Sequence, residues 1–242
     1  MVNSLKKLAL LPLLPVCFIQ GKTLRKQVPK LAEPKGERFG HTGNGKPLRL
    51  MITGDSAAAG VGVEHQDQAL IGQVCQQLSQ HFAVQWSLEA KTGATTASTI
   101  RHLTKLPECK LDVVVTSIGL NDLTTGKSRT QWLKNLNQLL DLMDSKYQPN
   151  LVIISGLPPV GQFPVIPSPL RWFLGFGAQG FNQAMAKLLS KRQNAHYLPI
   201  ELPTQSKVIP TELMASDGFH PGAKVYQQWA QDICQVIKSR FI

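Results

Sequence analysis

The chain has 242 residues, of which 43% are hydrophobic, and a formal net charge of +11. This length suits one α/β domain with a full apolar core, and the composition excludes collagen, coiled-coil and disordered classes. The charge is uneven: residues 1–49 hold ten basic and two acidic residues, a net of +8, which leaves +3 for residues 50–242. Because a nucleic-acid-binding domain normally spreads basic residues over a folded face, we expect no nucleic-acid partner.

Residues 1–46 are interpreted as a basic leader followed by a glycine-rich linker at 41–46. Lys6 and Lys7 precede an apolar stretch, residues 8–19, and basic residues follow it. Twelve residues interrupted by Pro12 and Pro15 are too few to cross a bilayer as a helix, and no small-x-small cleavage site of a signal peptide is present.

An apolar stretch beside a polybasic segment is typical of attachment to an anionic membrane surface. We therefore expect residues 1–38 to associate the protein with a membrane. The sequence does not distinguish between the cytoplasmic and the periplasmic side. The alternative is a flexible tail without a membrane role.

Residues 47–242 alternate apolar runs with amphipathic stretches, a pattern that predicts strands alternating with helices. The predicted strands are 48–53, 84–89, 111–118, 151–155 and 196–199, and the predicted helices are 69–82, 95–103, 129–146, 180–192 and 222–240. Such alternation implies a parallel sheet in an α/β/α sandwich, and continuous apolar strands agree with burial on both faces. Active sites of these sheets lie beyond the carboxyl ends of the strands.

The segment GDSAAAGVG, residues 54–62, follows the first predicted strand and places Ser56 on a tight turn. A serine at such a turn is exposed, and a base from another loop can reach its hydroxyl. Asp55 and Ser56 are also good helix N-caps, so the segment alone fits a structural role equally well. A nucleotide- or flavin-binding module is a further alternative, but the segment has no GxxxxGK[ST] pattern, no GxGxxG follows the strand, and Asp55 would repel a phosphate.

A second motif, SDGFHPG at residues 216–222, places Asp217 three residues before His220. This spacing lets the carboxylate fix the imidazole tautomer while the other ring nitrogen faces a nucleophile. His65 is the one rival base, because it follows the serine segment closely.

Two further motifs follow predicted strands. GLND at residues 119–122 carries Asn121, whose amide can donate to an oxyanion, although an Asx-turn is the simpler explanation. KTGA at residues 91–94 carries Gly93, whose backbone N–H can approach a ligand closely; it fits an ordinary turn equally well.

In the order Ser, Gly, Asn, His, these motifs resemble the SGNH (GDSL-like) hydrolase family from about residue 48 to the end of the chain. The resemblance implies a flavodoxin-like three-layer α/β/α sandwich with a five-stranded parallel sheet. It implies a serine esterase with Ser56 as nucleophile, and Asp217 and His220 completing its triad. By the same resemblance the N–H groups of Ser56 and Gly93 and the Asn121 side chain form the oxyanion hole. Ala57 stands where GDSL members have Leu, a departure that affects the subfamily.

A proline-rich apolar loop is predicted over residues 156–180, with five prolines, three phenylalanines and Trp172. We interpret it as an acyl-binding wall or lid in which Phe163, Leu170 and Trp172 contact the substrate; a stiff loop packed on the body is the alternative. This wall and the leader favour lipid or lysophospholipid esters over sugar acetates. The four cysteines lack the spacing of a zinc, redox or disulfide motif, so neither a metal nor a cofactor is expected.

Overall fold

A sheet of six strands is seen in a computed structural model that describes residues 11–202 and 209–242. The strands are β1 (Phe39–Thr42), β2 (Lys46–Gly54), β3 (Phe82–Ala90), β4 (Val113–Ser117), β5 (Leu151–Ser155) and β6 (Ala195–Leu198). Their order in the sheet is β1-β3-β2-β4-β5-β6. Strands β2 to β6 are parallel, which confirms the predicted five-stranded parallel sheet, and β1 adds an antiparallel edge.

Helices cover both faces of this sheet. They are α1 (Leu14–Gln27), α2 (Ser56–Ala59), α3 (Leu70–Leu78), α4 (Thr96–Lys105), α5 (Leu120–Thr124), α6 (Arg129–Tyr147), α7 (Leu170–Leu189) and α8 (Ala223–Phe241). Successive strand residues point to opposite faces, so Val114 packs in a core under α4, α6 and α7, while Val113 and Val115 pack in a second core under α3 and α8. Burial on both faces explains why the first three residues of β4 are all valine.

The carboxyl ends of the parallel strands are aligned with one another. Gly54 of β2 is paired in register with Ala90 of β3 and with Ser117 of β4, and Ser117 is paired with Ser155 of β5. The loops that follow these strands therefore begin at one edge of the sheet, where the predicted site motifs lie.

Strand β1 was not predicted from the sequence, since its residues fall in the predicted leader and linker; helices α1, α2 and α5 were not predicted either. Its FGHT sequence is exposed or half-buried throughout and carries no apolar alternation. Pairing with the edge strand β3 creates it, with Phe39 opposite Ser87. Gly43 then turns the chain with a φ of +79°, and a Cβ there would lie 2.2 Å from the Phe82 carbonyl oxygen.

Helix α7 begins at Leu170, ten residues before the predicted start at residue 180, so the second part of the predicted loop is helical. Gly175, Gly177 and Gly180 weakened the helical pattern of this part of the sequence, because glycine is a poor helix former. They permit close packing: a Cβ on Gly175 would lie 2.9 Å from the Cα of Gly161, and one on Gly177 would lie 2.6 Å from Leu123.

The leader residues in α1 pack against this early part of α7. The Gln20 side chain donates to the Ser168 carbonyl at 2.7 Å and accepts from the Leu170 N–H at 3.0 Å. Arg25 donates to the carbonyl of Thr124 in α5 at 2.9 Å, and Cys17 is buried in the shared core. Within the described part of the chain, no helix has the length and apolar character needed to cross a bilayer.

Candidate active site

Ser56 is the first residue of α2, directly beyond the carboxyl end of β2. Gly54 permits the sharp exit from the strand, with a φ of +142° and its missing Cβ only 2.1 Å from the Ser117 carbonyl oxygen. Asp55 caps the helix by accepting from the Ala57 N–H at 3.1 Å. The sequence offered a helix N-cap and a reactive serine as alternatives for this segment. In the structure Asp55 is the N-cap, and the neighbouring Ser56 lines the cleft described below.

A chain of hydrogen bonds joins Ser56 to His220 and Asp217. The Nε2 atom of His220 lies 2.9 Å from the Oγ of Ser56, and its Nδ1 atom lies 2.5 Å from the Oδ2 of Asp217. The other carboxylate oxygen of Asp217 accepts the backbone N–H groups of Phe219 and His220, both at 2.9 Å. Gly218, with a φ of +65°, makes the turn that brings His220 back over the aspartate.

Asp217 is held in its ionised form. Its side chain is completely buried, and burial alone would raise its pKa. The hydrogen bonds from the imidazole and the two backbone N–H groups outweigh burial, so the pKa of Asp217 lies below its ordinary value. An ionised carboxylate at Nδ1 leaves Nε2 as the nitrogen that faces Ser56 without a proton, as a general base requires.

His65, the rival base, is not brought to Ser56. It is exposed and its backbone forms an isolated bridge with Lys35, whereas the Ser56 hydroxyl is hydrogen-bonded to His220.

Asn121 lies in the short helix α5 that follows β4, and Gly93 lies on the loop after β3, at the same edge as Ser56. The Asn121 side chain donates one N–H to the Ala94 carbonyl at 2.9 Å, and a primary amide carries a second N–H. Gly93 has a φ of +76°, and no atom lies within 4 Å of the position that a Cβ would occupy. Asn121 lines the cavity described below, whereas Gly93 is exposed and is not one of the residues that line it.

A buried network behind Asn121 was not foreseen from the sequence. The Oδ2 atom of Asp122 accepts the backbone N–H of Thr96 at 2.8 Å and its hydroxyl at 2.9 Å, while the Trp132 indole donates to the same hydroxyl at 3.1 Å. Among the residues that the structure describes, the buried Oδ1 atom of Asp122 has no hydrogen-bond partner, and burial raises the pKa of this carboxyl. The network fixes the start of α4 against helix α5, which carries both Asn121 and Asp122.

A cleft that opens beside Ser56 and His220 has a free volume of about 70 Å³, or about 730 Å³ when the space open to solvent is counted. Apart from the polar groups around Ser56 its lining is largely apolar, and includes Leu157, Pro158, Phe163, Met214, Val225 and Trp229. The indole N–H of Trp229 is satisfied by the Ser155 hydroxyl at 3.0 Å, so this residue presents an apolar surface.

Of the three substrate-contacting residues expected from the sequence, the structure brings only Phe163 to the cleft. Leu170 is buried against α1, and Trp172 is 52% exposed on the surface of α7. The cause is the early start of α7, which turns these two residues away. The sequence analysis instead missed Val225 and Trp229, four residues apart on α8; the position of this helix directly after His220 was the available signal.

Asp55 is a second buried carboxyl beside Ser56. Burial raises the pKa of this group to about 7, against the opposing effects of the Ala57 N–H and of His220. Its side chain is not hydrogen-bonded to His220, whose Nδ1 partner is Asp217.

Solved structures of low sequence identity share this fold. A lipolytic protein of the G-D-S-L family from Veillonella parvula is 14% identical, with a TM-score of 0.57 over 79% of this chain and 98% of that one. Axe2, an acetylxylan esterase from Geobacillus stearothermophilus whose catalytic mutant was solved, is 14% identical with a TM-score of 0.60 over 80% and 95%. An extracellular lipase from Streptomyces rimosus is 18% identical with a TM-score of 0.59 over 80% and 99%.

No curated protein sequence matches the chain significantly. The family model described as GDSL-like lipase/acylhydrolase matches residues 52–228. This range contains the end of β2, all of β3 to β6, and Ser56, Gly93, Asn121, Asp217 and His220. A match over this much of the chain identifies the protein as a member of the GDSL-like lipase/acylhydrolase family.

Proposed function

We propose that this family member is a serine esterase that hydrolyses carboxylic esters through an acyl-enzyme on Ser56. The observation that carries the proposal is the hydrogen-bonded chain from Asp217 through His220 to Ser56. A serine hydroxyl is a weak nucleophile until an adjacent base removes its proton, and here the base is itself oriented by a buried carboxylate.

In the first step the Oγ of Ser56 attacks the ester carbonyl carbon while the Nε2 of His220 takes the hydroxyl proton. Asp217 stabilises the imidazolium that forms. When the tetrahedral intermediate collapses, the C–O bond to the alcohol breaks and His220 returns its proton to the leaving oxygen. In the second step water attacks the acyl-enzyme with His220 as base, which releases the acid and restores the Ser56 hydroxyl.

The negative oxygen of each tetrahedral intermediate requires donors that are already in place. We assign this role to the backbone N–H groups of Ser56 and Gly93 and to the free N–H of the Asn121 side chain. The alignment of the strand ends supports the assignment, because it brings all three residues to one edge of the sheet.

We propose an ester with an apolar acyl group as the substrate class, such as a lipid or lysophospholipid. The apolar lining of the cleft beyond Ser56 supports it. A carbohydrate acetylesterase is the alternative, since an acetylxylan esterase has the same fold. An acetyl group, however, would contact only a small part of the apolar lining.

Attachment to an anionic membrane surface remains a proposal for the leader. The outward side of α1 is apolar in its first half, with Phe18 and Ile19 each 64% exposed, and basic in its second half, with Lys22 and Lys26. Such a helix buries its apolar side chains at the acyl boundary while the basic ones meet anionic headgroups.

A fluorophosphonate probe tests the proposed nucleophile. We expect it to label Ser56, and Ser56→Ala to abolish both labelling and hydrolysis of 4-nitrophenyl butanoate without loss of the fold. Ser117→Ala is the matched control, because Ser117 also lines the cleft but has no hydrogen bond to His220. Near-normal turnover by Ser56→Ala would disprove the acyl-enzyme on Ser56, and labelling at Ser117 would show that Ser117 is the nucleophile instead.

A further inference from the structure

The segment that precedes β1 contacts the turn that carries Gly93. The Oε1 atom of Glu33 accepts both the backbone N–H of Thr92, at 2.7 Å, and its hydroxyl, at 2.8 Å. The Oε2 atom pairs with Nη1 of Arg38 at 3.0 Å, and the other terminal nitrogen of Arg38 donates to the Ala90 carbonyl. One ion pair thereby holds both the end of β3 and the turn that follows it.

This turn has few contacts of its own at Gly93. Its ends are anchored, because the Lys91 N–H donates to the Gly54 carbonyl at 3.1 Å and the Ala94 carbonyl accepts from Asn121. Gly93 itself is exposed and has open space where a side chain would be. The turn is closed by a hydrogen bond from the Ala94 N–H to the Lys91 carbonyl at 3.0 Å, so the direction of the Gly93 N–H depends on this bond and on what holds Thr92.

Thr92 controls that direction because of peptide geometry. The Gly93 N–H belongs to the planar peptide unit that begins at the carbonyl of Thr92. Fixing Thr92 at both its backbone N–H and its hydroxyl restricts rotation of this unit. Hydrogen bonds to an ionised carboxylate are stronger than neutral ones, so Glu33 is well suited to hold a turn that is otherwise solvated.

The residues between Glu33 and Arg38 are fixed as well. The Lys35 N–H donates to the Glu64 carbonyl at 2.9 Å, and the Gln66 N–H donates to the Lys35 carbonyl at 2.8 Å. The segment is thus paired with the loop that follows α2, the helix of Ser56. It connects the loops after β2 and β3, which carry the nucleophile and Gly93.

We propose that Glu33, oriented by Arg38, is a positioning residue for the oxyanion hole: it holds the Thr92–Gly93 peptide so that the Gly93 N–H is in place before the substrate arrives. This inference rests on the esterase function proposed above. Both residues precede residue 52, where the family match begins, so family membership does not assign them a role. By this proposal Glu33 and Arg38, which the sequence analysis assigned to the leader, support the oxyanion hole through Thr92.

Steady-state kinetics of the full chain with 4-nitrophenyl butanoate test this role. We expect Glu33→Ala to lower kcat by about tenfold or more, because a donor that must be reorganised stabilises the transition state less, and to leave KM within about twofold. Glu33→Gln keeps an oxygen that can accept from Thr92 and should recover part of the loss. Glu37→Gln, an exposed acidic neighbour, is the matched control and should behave as the wild type.

A boronic acid separates positioning from general destabilisation. Butylboronic acid forms a tetrahedral adduct with a serine nucleophile and places an oxygen in the oxyanion hole, so its affinity should fall in Glu33→Ala by a factor similar to that of kcat/KM. Thermal unfolding of each variant verifies that the assayed protein is folded. If Glu33→Ala unfolds, Glu33→Gln carries the comparison.

Two results would overturn the inference. One is wild-type kcat and boronate affinity in a folded Glu33 variant, and the other is a loss confined to KM. Neither affects the proposed esterase function, which fails only if Ser56→Ala stays active. A dead Ser56→Ala with a fully active Glu33→Ala would thus reject the positioning role alone.

Discussion

Asn121 donates a side-chain N–H to the carbonyl oxygen of Ala94 across 2.9 Å and so joins helix α5, which follows β4, to the loop after β3. A primary amide has two N–H groups, so this bond fixes the plane of the amide and leaves one donor for a ligand. The Asx-turn that the sequence offered as a simpler explanation would instead have used the side-chain oxygen on a local backbone N–H.

This relationship predicts the effect of replacing Asn121. Asn121→Ala should lower kcat by about 10²- to 10³-fold, the usual cost of losing one oxyanion donor, and lower the free energy of unfolding by only about 1 kcal/mol, the value of one hydrogen bond. Asn121→Asp keeps the shape but removes both donors and should be equally slow. Ester hydrolysis and urea unfolding measure the two effects. A kcat within about threefold of the wild type would remove Asn121 from the mechanism.

The fold and the residues around Ser56 were accessible from the sequence because each left a local signal. β4 is apolar at successive positions, which indicates a strand buried on both faces. Ser56 and Asn121 each follow such a strand within a few residues, and parallel pairing aligns the strand ends. His220 and Asp217 lie in one short turn, so a four-residue motif contains their geometry.

Features that depend on contacts distant in sequence left no such signal. Glu33 lies 59 residues from Thr92, and nothing in its own segment distinguishes it from a solvated charge. Strand β1 exists only because β3 offers an open edge. Leu170 and Trp172 were assigned to the substrate wall because prolines and glycines hid the start of α7.

Asp122 should contribute to stability through the start of α4. Asp122→Ala would leave the buried Thr96 N–H without an acceptor and disturb the hydroxyl shared with Trp132. We expect the free energy of unfolding to fall by about 2–4 kcal/mol, since each unpaired buried group costs about 1–3 kcal/mol. Asp122→Asn keeps an acceptor and should lose less. Urea unfolding measures this, with the exposed Asp67→Ala as control; equal stability of Asp122→Ala and the control would contradict the prediction.

Asp55 should make stability depend on pH. Its pKa is raised to about 7 by burial, whereas an unfolded aspartate titrates at about 3.9. Between these values the folded state holds a proton that the unfolded state releases, so this group lowers stability as pH rises through the window, and the loss persists above it. Asn at this position can still accept from the Ala57 N–H but does not titrate.

The free energy of unfolding of the wild type minus that of Asp55→Asn should therefore fall by about 2–4 kcal/mol between about pH 4 and about pH 8. Taking the difference between the two proteins cancels groups that titrate in both. Urea unfolding at several pH values provides the measurement, and parallel curves would show that Asp55 is ionised throughout.

The apolar cleft predicts a preference for longer acyl chains. Each methylene buried contributes about 0.8 kcal/mol, so kcat/KM for 4-nitrophenyl esters should rise by up to about fourfold per methylene until the cleft is filled. Val225→Phe, which narrows the cleft, should move the optimum to shorter chains. Gln227→Phe, exposed on the same helix, is the matched control. A sharp optimum at acetate would favour the carbohydrate acetylesterase alternative.

The outward side of α1 predicts binding to anionic vesicles. Phe18 and Ile19 are largely exposed next to basic side chains, and the partial burial of two such side chains in a membrane contributes on the order of 1–3 kcal/mol. The double variant Phe18→Ser/Ile19→Ser should therefore bind phosphatidylserine-containing vesicles with an affinity about tenfold lower, as measured by co-sedimentation. Higher salt should weaken wild-type binding, because it screens the attraction between the basic side chains and the headgroups. Phe39→Ser, at a side chain that is 73% exposed on β1, is the matched control. Unchanged binding by the double variant, or an equal loss with Phe39→Ser, would remove α1 from any membrane contact.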